Sequence, residues 1–216
     1  VVAPIVSSRQ GLAGSRLTVA VVALAFAVAV STSACSGQTQ AATHSSGSAP
    51  GAGATRPSGE KAQLRRSVPV RLQIPAIGVD TRLVALGLQA DGTMEVPSSG
   101  FPAGWYTGAP TPGEQGPAVI AGHVDWNGPG VFYELRKLRP GDQVSVTRAD
   151  GSMPVFRVSL VRRFPKDHFP TNEVYGDIDH AALRLITCGG SFNSRLGHYD
   201  DDIIAFADLL PSARRT

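Results

Sequence analysis

Cysteine is nearly absent: the chain carries Cys35 and Cys188 and no other. The two stand in segments of opposite character, one among small residues near the start and one in an apolar run, so a structural disulfide between them is not expected. An exported domain that keeps a single thiol raises a question of reactivity instead. Aromatic residues are also scarce, at 6%. No stretch sustains a long apolar period of 3.6 residues, which excludes a helical bundle. Basic residues number 20 against 17 acidic, a net charge of +3, and they are scattered rather than run together. Without a basic run, nucleic acid is not expected as a partner. No internal repeat is present.

Glycine (24) and proline (16) are abundant instead, which favours turns and short strands. Near the start, Arg9 and Arg16 precede the apolar run Leu17–Val30, and small residues follow from Ser31 to Ala34. Basic, apolar and small segments in that order make an export signal. The apolar run is shorter than the ~18 residues of a comfortable membrane span. A cleaved signal, an uncleaved anchor and a lipoprotein signal all fit. Thr32-Ser33-Ala34-Cys35 suits lipid attachment at Cys35, although the usual leucine three places earlier is replaced by Thr32. Every variant directs the chain to the outer face of the plasma membrane, facing the cell wall. Residues 36–66 are rich in Ser, Gly, Ala and Pro. They offer too little apolar surface to offset ordering entropy and read as a disordered tether. A folded domain is expected over 67–210 and a short tail over 211–216.

Within that domain Val68, Val70, Leu72 and Ile74 alternate with other residues up to Pro75, as a strand requires. Extended pieces follow at Ile77–Val84, Ala118–Gly122, Gln143–Arg148, Val155–Arg163, Leu183–Cys188 and Ile203–Leu209. The passage Phe101–Gly116 reads as a Gly- and Pro-rich connection, and Pro165–Asp177 as irregular. Val131–Leu138 and Asp179–Ala182 read as helical turns. Short strands with frequent turn signals argue for a closed, mainly β barrel of about 150 residues.

Two strands end alike. Ile120-Ala121-Gly122 delivers His123, and Leu185-Ile186-Thr187 delivers Cys188 ahead of Gly189-Gly190, a pair read here as a sharp turn. A thiol with an imidazole in reach is the minimal arrangement for nucleophilic thiol catalysis, because the imidazole raises the thiolate fraction and later protonates the leaving group. Asp125 either orients His123 or caps the following turn, and the cap is preferred. His168 and His198 with Asp200, Asp201 and Asp202 match no standard zinc or calcium spacing, and no metal is assigned. Trp105, Tyr106 and Trp126 read as core or groove wall.

Ala121-Gly122-His123-Val124-Asp125 and Leu185-Ile186-Thr187-Cys188 resemble the His and Cys motifs of sortases, the cysteine transpeptidases of Gram-positive cell surfaces. Ile74-Pro75-Ala76-Ile77-Gly78-Val79, Thr111-Pro112-Gly113, Leu138-Arg139-Pro140-Gly141-Asp142 and Thr187-Cys188-Gly189-Gly190 are similar to the class F branch. The resemblance implies an eight-stranded β-barrel with short helices and long loops. It implies that Cys188 attacks the Thr–Gly bond of a signal similar to Leu-Pro-X-Thr-Gly. An amine of a peptidoglycan precursor or a pilin then resolves the acyl-enzyme, with His123 as general acid and base. Neither metal nor organic cofactor is needed. The implied partners are surface proteins with a C-terminal sorting signal, and the membrane through the N-terminal segment. Sortases also carry an arginine on the strand after the cysteine loop. Here that strand begins Tyr199-Asp200-Asp201-Asp202, so the role falls to Arg195 in the loop, with Arg184 or backbone N–H groups as less favoured substitutes. A different class of reading is an exported, inactive lipoprotein that only binds. An L,D-transpeptidase is disfavoured, because it requires His and Cys close together in sequence.

Overall fold

A computed structural model describes residues 63–211. The expected export signal over 1–35 with Cys35, most of the 36–66 tether and most of the tail lie outside the described residues. The first alternating run forms β1 (Pro69–Ile74), with Leu72 and Ile74 fully buried and Gln73 between them half-exposed; Val68 and Val70, expected on the same face, are exposed, and the register against β5 shifts between Pro69 and Arg71. Pro75 stops it in a short 3-10 turn, Pro75–Ile77, as its missing N–H demands. Then come β2 (Val79–Leu86), β3 (Ala103–Tyr106), β4 (Gly116–Ala121), β5 (Gln143–Arg148), β6 (Val155–Pro165), α1 (Thr171–Tyr175), β7 (Ala181–Asn193) and β8 (His198–Leu209). They close into a barrel in the order β1-β2-β3-β4-β7-β8-β6-β5. Closure pairs every strand on both sides, so no edge is left exposed.

The expected mainly β, closed eight-stranded barrel is thus what the chain forms, with four further local departures from the sequence expectation. The Phe101–Gly116 passage hides a strand: β3 pairs in parallel with β2 (Leu83 with Ala103, Leu86 with Tyr106). Its four residues, Ala-Gly-Trp-Tyr, are all buried, so no alternation announces it. The segment Asp179–Ala182 forms no helical turn; β7 has begun at Ala181. The Pro165–Asp177 segment is ordered as a 3-10 turn, Lys166–His168, and the helix α1. The Gly189-Gly190 pair does not end the cysteine strand. β7 runs on to Asn193, with a register shift against β8 between Gly189 and Phe192. Glycine is needed at position 190 because φ is +76° and a Cβ there would collide with the Asp201 carboxylate.

Two apolar layers flank the central strands. Inside the barrel lie Leu72, Ile120, Phe132, Leu183, Leu185 and Ala205 among others. On the outer face, Val119, Ala121, Ile186, Ile204 and Phe206 pack with Met94, Phe164 and Val174. β4 and most of β7 are therefore buried on both faces, which is why they read as unbroken apolar runs rather than alternating ones. Leu185 is fully enclosed in the inner layer. Leu185→Ala is expected to cost about 3 kcal/mol, read as a lowered urea midpoint with an unchanged denaturant slope.

Candidate active site

β4 and β7 run parallel, with Ile120 opposite Leu185 and Ala121 opposite Ile186. Parallel strands deliver their C-terminal ends to one rim. His123 stands two residues past Ala121 and Cys188 two past Ile186, so the register brings both to the same mouth of the barrel. Two hydrogen bonds fix the exit of β4: Gly122 N–H donates to the Ile186 carbonyl at 3.1 Å, and Thr187 Oγ1 donates to the Gly122 carbonyl at 2.8 Å.

His123 is half-buried and its ring is held on two sides. Nε2 lies 2.7 Å from the Pro97 carbonyl. A carbonyl only accepts, so Nε2 carries hydrogen, and in the neutral ring Nδ1 holds the lone pair. The Trp126 ring lies 4.9 Å away, tilted by 49°. The loop then turns back, with Phe132 N–H on the His123 carbonyl at 3.0 Å. Only glycine fits at position 130, because a Cβ there would collide with that same carbonyl.

Cys188 is a free, half-exposed thiol. Asp202 stands directly across from it on β8, and directly opposed side chains share a face at roughly 5 Å. Phe164 of β6 is the next residue across. The chain leaving β6 brings Lys166 Nζ to 3.4 Å from Cys188 Sγ. His123 therefore enters the cleft from the β4 side of β7, and Lys166 reaches the sulfur from the β8 side.

Asp202 is fully buried, and neither of its carboxyl oxygens has a hydrogen-bond partner among the described residues. Burial pushes its carboxyl up from 3.8 to about 6, with Lys166 offsetting part of the effect. In the folded chain the group holds its proton up to about pH 6, whereas unfolded it releases it near 3.8. The stabilising contribution of the protonated form is complete below the unfolded value and is lost as pH rises through the folded one. Asp202→Asn is therefore expected to raise stability by up to about 3 kcal/mol near pH 8 and to change little near pH 4. Urea midpoints at the two pH values check it.

His123 and Cys188 line one cleft of about 230 Å³, together with Pro97, Thr187, Phe192, His198, Tyr199 and Asp202. Of the other residues singled out from sequence, Asp125, Trp126, His198 and Asp202 line the same cleft, and the rest fall elsewhere. Arg195 is exposed in the turn between β7 and β8 and does not line the cleft; its backbone N–H donates to Asn193 Oδ1 at 3.2 Å. Arg184 is buried further down β7, its guanidinium 4.7 Å over the Phe206 ring and its Nε donating to the Glu173 carbonyl at 3.2 Å. Asp125, expected to cap a turn, accepts the Tyr199 hydroxyl instead. That bond, with burial second, pushes the Tyr199 phenol up to about 12. His168 pairs with neighbouring Asp167 at 2.9 Å, and His198 Nδ1 donates to the Tyr199 carbonyl at 2.8 Å. Among the described residues no group of three or more His, Cys, Asp or Glu gathers to hold a metal. Trp105 belongs to the inner core and Trp126 to the cleft wall. Lys166 and Pro97 carried no local signal in the sequence, and Asp202 stood out only as one of an acidic trio; the tertiary fold brings them here.

A half-exposed thiol, an imidazole with one pinned nitrogen and an ammonium beside the sulfur form an arrangement suited to acyl transfer. The family described as sortase domain matches residues 72–210. Among solved structures, sortase C1 from Streptococcus agalactiae is similar at 17% identity over 67% of this chain and 68% of that one, with a TM-score of 0.53. Sortase A from Corynebacterium diphtheriae is similar at 17% identity, 70% and 65% coverage and a TM-score of 0.54. The pilus-related sortase C of Group B Streptococcus is similar at 17% identity, 70% and 71% coverage and a TM-score of 0.52. Likeness at these identities is one of fold. No curated protein matches the chain.

Proposed function

The chain belongs to the sortase family, and from that premise we propose that it is a cell-surface cysteine transpeptidase of the class F branch. It cleaves a Leu-Pro-X-Thr-Gly-like sorting signal between Thr and Gly and passes the acyl group to an amine of the cell wall or a pilin. The observation that carries this reading is the shared mouth: parallel β4 and β7 bring His123 and Cys188 into one cleft.

In the proposed reaction the Cys188 thiol proton passes to His123 Nδ1 and the thiolate adds to the Thr carbonyl carbon. The intermediate collapses with loss of the Gly amine, which takes a proton from His123. The thioester keeps enough acyl energy for a second amine to attack, with His123 now accepting the proton. Arg195, the one arginine between Cys188 and β8, is the sequence candidate for the accompanying cation, although it does not line the cleft. The N-terminal 1–35 segment serves as export signal and attachment, by anchor or by lipid on Cys35, and 36–66 as the tether holding the domain outside the membrane.

The test uses the folded protein, a Leu-Pro-X-Thr-Gly peptide and intact mass spectrometry, with and without triglycine. An acyl adduct on Cys188 that triglycine removes as a ligated product supports the transpeptidase. A second reading, an inactive sortase-like binding lipoprotein, is favoured by one observation: β8 begins with Asp200, Asp201 and Asp202 close after its first two residues and presents no arginine beside the cysteine. Absence of any adduct across several signal variants, with peptide affinity retained, selects that second reading.

A further inference from the structure

We propose that Lys166 is the catalytic cation of this centre, its ammonium holding the Cys188 sulfur as the attacking thiolate. The proposal deepens the transpeptidase reading, on which its catalytic half rests. Lys166 Nζ lies 3.4 Å from Cys188 Sγ, and the sulfur is its one hydrogen-bond partner among the described residues.

The surrounding cations are engaged elsewhere. Arg163 pairs with Asp201 at 3.3 Å. Arg162 lies 4.6 Å over the Phe164 ring and 3.7 Å from Glu173. Arg184 is bonded to the backbone near α1, and Arg195 projects from an exposed turn. The acidic start of β8, which leaves that strand without an arginine, also supplies the reason a lysine settles here. Asp202 is buried next to the sulfur with neither oxygen hydrogen-bonded among the described residues, and an ammonium nearby offsets the cost of that carboxyl when it ionises.

Lys166 is delivered by the fold rather than by a flexible arm. Pro165 ends β6 opposite Asp201, and the 3-10 turn Lys166–His168 then carries the chain over β8. Phe169 stacked on Tyr175 at 5.9 Å and the buried Val174 anchor the far end of that turn. The charged and titratable groups facing the sulfur's surroundings are Lys166 from the end of β6, Asp202, His198 and Tyr199 from β8, His123 from the end of β4, and Asp125, which accepts the Tyr199 hydroxyl.

The cation acts without taking part in proton transfer. The thiol proton passes to His123 Nδ1, the thiolate attacks the scissile carbonyl, a C–S bond forms and the π pair moves to oxygen. The carbonyl then re-forms as the C–N bond breaks, and the amine leaves with the proton from His123. Lys166 keeps its protons throughout. A positive charge this close to the sulfur favours the thiolate at neutral pH.

The test compares wild type with Lys166→Met, Lys166→Gln, Lys166→Arg and Arg195→Ala, each shown folded by circular dichroism. Iodoacetamide alkylation of Cys188 reads the thiolate directly, and peptide acylation reads catalysis. K166M and K166Q are expected to alkylate about tenfold more slowly near pH 7 and to converge with wild type at alkaline pH. Their acylation is expected to fall about a hundredfold, with K166R recovering most of it. K166Q keeps an N–H donor without the charge, so its agreement with K166M identifies charge as the cause. Wild-type alkylation rates in K166M and K166Q near pH 7 would overturn the proposal, as would acylation lost in R195A but kept in K166M. A wild-type protein that never acylates, yet alkylates faster than K166M, supports the Lys166–Cys188 pairing and overturns the transpeptidase reading instead.

Discussion

Cys188→Ala is expected to abolish acyl-adduct formation and transpeptidation, with a loss of at least about a thousandfold. The reaction proceeds through a C–S bond, and no other thiol lies among the described residues. Hydroxyl-bearing neighbours do not substitute. Thr187, the adjacent residue, turns its Oγ1 to the Gly122 carbonyl at 2.8 Å, and the Tyr199 hydroxyl is held by Asp125 and made less acidic by it. Stability should change little, because the thiol is half-exposed at the mouth rather than packed in either core layer. Intact mass after peptide incubation and a urea midpoint together check the prediction. Turnover retained in C188A would sink the transpeptidase reading, whereas peptide affinity retained without turnover fits a thiol that acts only in chemistry.

His123→Ala should have the next largest effect, a loss of roughly a thousandfold in cleavage of the peptide bond. An amine leaves poorly without a proton, and His123 is a cleft imidazole at the end of the strand beside β7, its ring held by Pro97 at 2.7 Å and Trp126 at 4.9 Å. The leaving group provides an internal check. A peptide thioester or activated ester departs without a proton, so its acylation of Cys188 should fall far less in H123A than that of the amide. An equal fall for both substrates would assign His123 a part in setting the sulfur rather than in proton donation. That result would place more of the burden of activating the sulfur on His123 than on Lys166. Pro97 matters here through its carbonyl, which dictates the nitrogen that keeps hydrogen. A substitution of Pro97 therefore acts only through the backbone path of the Val96–Ser98 segment.

The barrel was legible where one face of a strand is buried and the other is not. β1 shows the alternation that yields strand and core face together, with Leu72 and Ile74 inward. β5 and β6 were legible as a hairpin because Ala149-Asp150-Gly151-Ser152 is turn chemistry, and Asp150 does accept from both the N–H and the hydroxyl of Ser152. β3 was not legible. Its four residues are buried on every side and pair in parallel with β2, so neither period nor turn marks them. The Gly189-Gly190 pair misled for a related reason: a glycine pair reads as a stop, yet here it accommodates a bulge in a strand that continues to Asn193.

The same division runs through the site. The chemistry-bearing residue types were set by the sequence alone: a thiol and an imidazole, each at the end of an apolar run, and a strand whose opening holds three acidic residues. Those local facts made His123 and Cys188 candidates, and the resemblance of the motifs around them to sortases singled them out. The tertiary structure decided what surrounds the sulfur. Lys166 is 22 residues from Cys188 in the chain and reaches it only because β6 pairs with β8 and β8 with β7. Asp202 became a buried carboxyl without a hydrogen-bond partner among the described residues only when β8 registered it opposite the thiol. Arg195, picked out because it lies close in sequence, sits on an exposed turn. Catalytic proximity depends on strand register, and register is a collective outcome of which apolar faces are buried together, so it has no signature at the individual residue.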